Sequence, residues 1–141
     1  METINTVLGQ LDIKHLGIVL MHEHLHVDIS FMASAGKINS KSFNVTKNIA
    51  KSINQDYDQI LHDKVKIKNL GALKRDPTRS KDNLVLDNNK FIIDELLRYH
   101  QFGGKTIVDV TNISMGRDIN SLKTISAKTG INVIASTGWY L

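Results

Sequence analysis

Apolar residues along this chain fall into short runs separated by glycine-marked breaks, and the period of the runs changes from one to the next. Ile18-Val19-Leu20-Met21 is a continuous apolar run behind Gly17 and reads as a buried strand of a parallel sheet. It ends abruptly in His22-Glu23-His24-Leu25-His26. Ahead of it, Ile4-Asn5-Thr6-Val7-Leu8 and Leu11-Asp12-Ile13 flank Gly9-Gln10 and predict a small hairpin turning at those two residues. Beyond residue 87 the period becomes helical. Ile92, Ile93, Leu96, Leu97 and Tyr99 form one apolar face, with Asp87 as the N-cap and Gly103-Gly104 as the stop after Phe102. Thr106-Ile107-Val108-Asp109-Val110 is a second buried strand. Asp118 caps a second helix, whose stripe is Ile119, Leu122 and Ile125 and whose stop is Gly130. Asn132-Val133-Ile134-Ala135-Ser136 is a third strand, running into Thr137-Gly138-Trp139-Tyr140-Leu141.

Between residues 28 and 86 the pattern loosens. Ile49, Ile53, Tyr57, Ile60 and Leu61 predict a helix within 44–63. Val65 and Ile67 alternate with lysines and predict a short exposed strand over 64–70. Residues 74–80, around the only proline, Pro77, read as a turn. A connection this long in a compact domain tends to be a lid or a binding loop. The order of elements is βαβαβ, which implies parallel strands with right-handed crossovers. No Gly-x-Gly-x-x-Gly follows any strand, so a dinucleotide fold is disfavoured. In βα-barrels the chemistry lies at the C-terminal ends of strands. His22, His24, Asp109, Thr111 and Tyr140 occupy such ends.

Side chains two apart in a strand share a face, so His22 and His24 point the same way, close enough to grip one ion. The plainer alternative is a pair of hydrogen-bonded core or surface histidines. His26 reads as a loop or pocket-rim residue. Glu23 faces away and suits an orienting hydrogen bond. Asp109 reads first as a buried acid bonded to backbone or to a neighbouring strand residue, and second as part of a site.

Composition narrows the classes. The 141 residues, 41% hydrophobic and 23% charged, suit one soluble globular domain. There is no transmembrane-length apolar run and no visible secretory signal, so no membrane partner is expected. The absence of cysteine excludes disulfides, thiolate metal sites and a cysteine nucleophile, and is compatible with the cytoplasm, the expected compartment. The net charge of +4 is local: residues 37–81 carry eleven Lys or Arg against four Asp or Glu. Sparse aromatics there favour a solvated insertion over a nucleic-acid surface, so no nucleic-acid partner is expected.

Several segments taken together resemble the phosphotriesterase family of the amidohydrolase superfamily. They are Leu20-Met21-His22-Glu23-His24-Leu25, Gly103-Gly104-Lys105-Thr106-Ile107-Val108-Asp109-Val110-Thr111, Met115-Gly116-Arg117-Asp118, Thr129-Gly130-Ile131-Asn132-Val133-Ile134, and Thr137-Gly138-Trp139-Tyr140. Asp82-Asn83-Leu84-Val85-Leu86-Asp87 looks like a subgroup with a longer first loop. The resemblance implies a (β/α)8 TIM barrel with two divalent metals at its C-terminal mouth, usually zinc, with manganese or cobalt as substitutes. It implies hydrolysis of lactones, phosphotriesters or related esters, including phosphorylated sugar lactones, by metal-activated hydroxide. His22 and His24 would bind the more buried metal, and Tyr140 would line the substrate pocket. Arg75 and Arg79, in the basic segment, are candidates for an anionic substrate group.

A barrel of this kind typically takes ~250 residues. On this reading residues 1–141 are the first three βα units, with an N-terminal β-hairpin and a long insertion after strand 1 over residues 28–86. The family's bridging lysine, further histidines and aspartate come from later strands, so no catalytic residue is assigned within this segment. The leading expectation is therefore the N-terminal portion of a metal-dependent hydrolase acting on a small ester or lactone. Its partner would be either a second copy in a homodimer or the missing C-terminal barrel segment. The alternative is a non-catalytic fragment or docking module without a complete metal site.

Overall fold

The computed structural model describes residues 2–34, 46–47 and 58–139. The chain divides into two compact units, Met1–Val27 with Leu86–Leu141, and Asp28–Val85.

The first unit is α/β. Strands β1 (Thr3–Thr6) and β2 (Gly9–Asp12) pair antiparallel. The hairpin therefore turns at Val7-Leu8, two residues earlier than the glycine suggested. Thr6 explains the shift: its Oγ1 accepts the Leu8 N–H and donates to the Gly9 carbonyl, closing the turn with a side chain. Gly9, at φ 128°, opens the second strand. Next come β3 (Ile18–Glu23) and the two-residue strands β4 (Val27–Asp28) and β5 (Val85–Leu86), where the chain leaves and re-enters this unit. A helix at Asn89–Gln101, strand β6 (Gly104–Asp109), a helix at Ile119–Thr129 and strand β7 (Asn132–Ala135) complete it. β3, β6 and β7 form one parallel sheet in that order.

Local chemistry sets these helix limits. The first helix is capped by Asn88, whose side chain accepts from the Phe91 N–H, one residue beyond the expected Asp87. Asp118 caps the second helix as expected, accepting from the Asn120 and Ser121 amides and from the Ser121 hydroxyl. Gly130 ends it at φ 71°, a conformation that glycine adopts without strain. The core joins Leu25, Ile92, Leu96, Ile107, Leu122, Ile125, Ile131 and Val133, with Ile93 and Tyr99 packed against it. Leu97, assigned to the same apolar face from its spacing, is instead 39% exposed. Leu122 and Ile125 are fully enclosed; truncating either to alanine costs about 2–5 kcal/mol. Gly104 lies against the Tyr99 ring, where an added Cβ would come within 2.3 Å of ring carbons. That close approach lets the Tyr99 hydroxyl donate to the carbonyls of Ile18 and Thr106, tying the start of β3 to β6.

In the second unit, residues 67–70 of the strand expected over 64–70 open a helix, and 64–66 form no regular element. We number the three described α-helices α1 (Ile67–Arg75), α2 (Asn89–Gln101) and α3 (Ile119–Thr129). Two alternating apolar residues are too few to fix a period, and end chemistry decided the outcome. The Asn69 side chain accepts from the Lys66 N–H at 2.8 Å and donates to the Lys64 carbonyl at 2.9 Å, closing the first turn. Buried Asn69 and Leu73 then follow at i, i+4. Pro77–Arg79 is a 3-10 turn capped by Asp76. Most of the helix expected within 44–63 lies outside the described residues. The acids of this unit answer its lysines: Asp82 accepts from Lys64 and from the Val65 N–H, and Asp63 pairs with Lys68. The lysine hydrogen bonds hold both carboxyls below the usual range.

Within the three-stranded sheet, β6 is paired on both sides, whereas β3 and β7 are each paired with one strand. Ile18 and Met21 of β3 stand 59% and 69% exposed, and Leu20 is 38% exposed. An apolar strand with an open edge recruits other strands. The 141-residue chain made alone is expected to self-associate and to melt without a sharp transition. Light scattering and calorimetry check this, and a cooperative melt from a monomer would contradict it.

The Asp118 carboxyl is held below its ordinary value of 3.8, chiefly by the Ser121 hydroxyl and then by the Ser121 amide. A lowered folded-state pKa means that the cap's contribution is complete above about pH 4 and disappears as pH falls through the lower value. Asp118→Asn is expected to keep the cap geometry while removing this component from the acid-unfolding curve, as followed by helical circular dichroism.

Candidate metal site

His22 is the penultimate residue of β3, and His24 lies one residue beyond its end. Strict alternation does not carry the two rings to one place. The β3–β6 register shifts between Leu20 and Glu23, an irregularity of the bulge type that re-aims side chains at a strand end. The two imidazoles nevertheless converge, with centroids 5.7 Å apart and planes at 77°. They line an open cavity of about 420 Å³ together with Val110, Asn112 and Met115.

A buried network holds this end of the sheet. Asp109, the last residue of β6, is fully enclosed, with one carboxylate oxygen accepting the Leu25 N–H at 2.8 Å and the other the Thr111 N–H at 2.9 Å. Its geometry is that of the structural acid the sequence suggested. The Thr111 hydroxyl lies 2.8 Å from His24 Nδ1. The Ser136 hydroxyl donates to the Thr111 carbonyl, and the Ser136 N–H donates to the Asp109 carbonyl. Arg117 donates to the Ser136 carbonyl. The ends of β3, β6 and β7 are thus fastened to one another through polar groups.

Asn112 is 6% exposed, and its Oδ1 accepts from both the amide and the hydroxyl of Ser114. A backbone N–H can only donate, so this contact fixes which end of the amide is oxygen. Asn112 also lines the cavity. His26 Nδ1 is 3.2 Å from the Gly116 carbonyl, which makes it a strut of the β6–α3 loop, in keeping with a rim position.

Two neutral imidazoles sharing one zinc at about 2.0–2.1 Å per Zn–N bond have ring centroids roughly 5–6 Å apart. The observed separation fits, as does a polar partner on the second nitrogen of His24. Among the described residues, no group of three or more His, Asp or Glu side chains is arranged to hold an ion. Of the other residues singled out, Arg75 is exposed in the last turn of α1 and Arg79 closes the 3-10 turn, both in the second unit. Tyr140 lies outside the described residues. Sequence patterns did not single out Asn112 or Met115 as cavity residues, or Ser136 as an anchor. A hydroxyl or amide beyond a strand end becomes recognisable only when another strand faces it.

A parallel α/β sheet with imidazoles converging at its C-terminal end defines the class, and comparison with known proteins specifies it. The chain belongs to the phosphotriesterase family, whose profile matches residues 2–141. It is 27% identical over 139 residues to an N-acetyltaurine hydrolase of Danio rerio, covering 98% of this chain and 35% of that protein. It is 32% identical to a phosphotriesterase-related protein of Nematostella vectensis, covering 96% and 35%. Among solved structures, a resiniferatoxin-binding protein from Rhodobacter sphaeroides superposes with a TM-score of 0.78 at 32% identity, covering 99% of this chain and 34% of that one. A phosphotriesterase from Mycobacterium tuberculosis, at 24% identity and a TM-score of 0.54, shares the fold. The chain spans about a third of the length of these relatives. No helix among the described residues is long and apolar enough to cross a membrane.

Asp109→Ala is expected to leave the Leu25 and Thr111 amides buried without an acceptor, at about 1–3 kcal/mol each. Hydrogen exchange at both amides should accelerate at least tenfold relative to Leu122. Unchanged protection there would show that the carboxylate carries no load.

Proposed function

We propose that this chain supplies the first three βα units of a (β/α)8 metal-dependent hydrolase, with residues 28–86 inserted after the first barrel strand, and that His22 and His24 hold one divalent metal, zinc by preference. The observation that carries the reading is the convergence of the two imidazoles on one cavity at the C-terminal end of a parallel sheet. A bound divalent metal polarises a scissile carbonyl or phosphoryl oxygen and makes water a nucleophile near neutral pH. The chain's own residues orient and bind. Thr111 engages His24, and Asn112 offers N–H donors to an acceptor oxygen of the substrate. Val110 and Met115 give the cavity its apolar walls.

Small carbonyl esters and lactones, phosphorylated sugar lactones among them, suit this arrangement, as do phosphotriesters. The curated relatives add N-acyl amides to the range, since those at 27–29% identity are N-acetyltaurine hydrolases. For Arg75 the solvated-surface reading is the simpler one, because a cation in the last turn of a helix already complements the helix dipole; Arg79 is half-buried, with its Nε enclosed.

A second reading is favoured by one observation, the lack of a three-residue ligand cluster among the described residues. On that reading the chain is a non-catalytic fragment or docking module. The test compares two proteins. The 141-residue chain with added zinc, manganese or cobalt is expected to show no hydrolysis beyond free metal. The chain extended to the length of its relatives is expected to bind metal stoichiometrically and to hydrolyse at least one lactone, phosphotriester or N-acyl amide, with His22→Ala and His24→Ala each losing metal and at least 100-fold in kcat/KM. Full metal content in both variants would remove the assignment.

A further inference from the structure

We infer that Thr111, seated by Asp109, is a positioning residue that presets His24, engaging Nδ1 and leaving Nε2 as the nitrogen for a ligand in the cavity. His24 lies past the last residue of β3, after a register shift, so no ladder bond fixes its ring. The Thr111 hydroxyl supplies the missing restraint at 2.8 Å. Thr111 is itself fully buried and cannot drift: Asp109 accepts its amide, and Ser136 donates to its carbonyl. The other oxygen of Asp109 accepts the amide of Leu25, the residue after His24. One carboxylate therefore sets the spacing between the backbone carrying the imidazole and the backbone carrying the hydroxyl.

His22 is held differently. It is exposed, and no side-chain hydrogen bond to it is formed among the described residues. The two histidines are consequently unequal: His24 is rigid before any ligand arrives, and His22 adjusts to it. The Thr111 hydroxyl can accept from an Nδ1–H or donate to a bare Nδ1; only the first arrangement leaves the lone pair on Nε2, where a ligand in the cavity can use it. An outer partner of this kind typically contributes 10–100-fold to metal affinity.

The test has a metal-free arm and a zinc arm, and only the second rests on the metal reading above. In the first, the ring nitrogens of His24 are observed by solid-state NMR of 15N-histidine-labelled chain, which reads the tautomer whether or not the chain self-associates. The wild-type chain is expected to show Nδ1 protonated and Nε2 bare. Thr111→Val, nearly the same shape without the hydroxyl, should lose that single tautomer, and Thr111→Ser should restore it. In the second arm, Zn2+ is added to the same three proteins extended to the length of their relatives. Thr111→Val should require 10–100-fold more Zn2+ to shift the His24 signals, and Thr111→Ser less than threefold more. Core signals of Ile107 and Val133, read from uniformly 13C,15N-labelled samples, that match among the three proteins show that packing is intact. An Nε2-protonated His24 in the wild-type chain would overturn the inference, as would a Thr111→Val ring indistinguishable from wild type. If Zn2+ shifts neither histidine in the extended wild-type protein, the metal reading fails while the tautomer still decides the role of Thr111.

Discussion

The carboxylate of Asp109 accepts one backbone N–H on each oxygen, and the arrangement at the mouth of the sheet depends on that division. One bond reaches the segment leaving β3, and the other stays in the loop leaving β6. Both amides are buried and would otherwise have to be stripped of water without compensation, which is costly. Charge-assisted bonds to an enclosed carboxylate are short and directional. The interaction therefore fixes position as well as contributing stability, and the imidazole of His24 inherits that precision through Thr111.

The fold around this point separates two tasks. Below the mouth, α2 and α3 cover one face of the parallel sheet with Ile92, Leu96, Leu122 and Ile125, and the stability of the unit is concentrated there. At the mouth, polar groups that packing would exclude are allowed because each has a partner: Thr111 with His24, Ser136 with Thr111, Asn112 with Ser114. The exposed apolar residues of β3 lie on the strand that also carries His22. Among the described residues β3 is paired on one side only, with β6.

The likeness to an N-acetyltaurine hydrolase and to a resiniferatoxin-binding protein shows how little of the ligand is written in this part of the sequence. Proteins with such different names align over nearly the whole chain. What they share with it is the sheet and its helices. Function is carried by sites placed on folds.

The sequence by itself determined the order of strands and helices in the first unit, because hydrophobic period and end chemistry are local. Asp118, Gly130 and the run behind Gly17 each announced an element boundary or type without help from the rest of the chain. It also marked His22 and His24, since two imidazoles two residues apart at a strand end are visible in one dimension. It misplaced the hairpin turn, where the Thr6 side chain outweighed the glycine, and it took the start of α1 for a strand, where Asn69 closed the first turn. Tertiary structure alone decided the rest. Asp109 became a clamp only when β3 came alongside β6, and Thr111 became the partner of His24 across 87 residues of chain. Asn112 acquired its cavity position by the same juxtaposition. A hydrogen bond between strand ends depends on register and on a bulge, and neither leaves a periodic trace in the sequence.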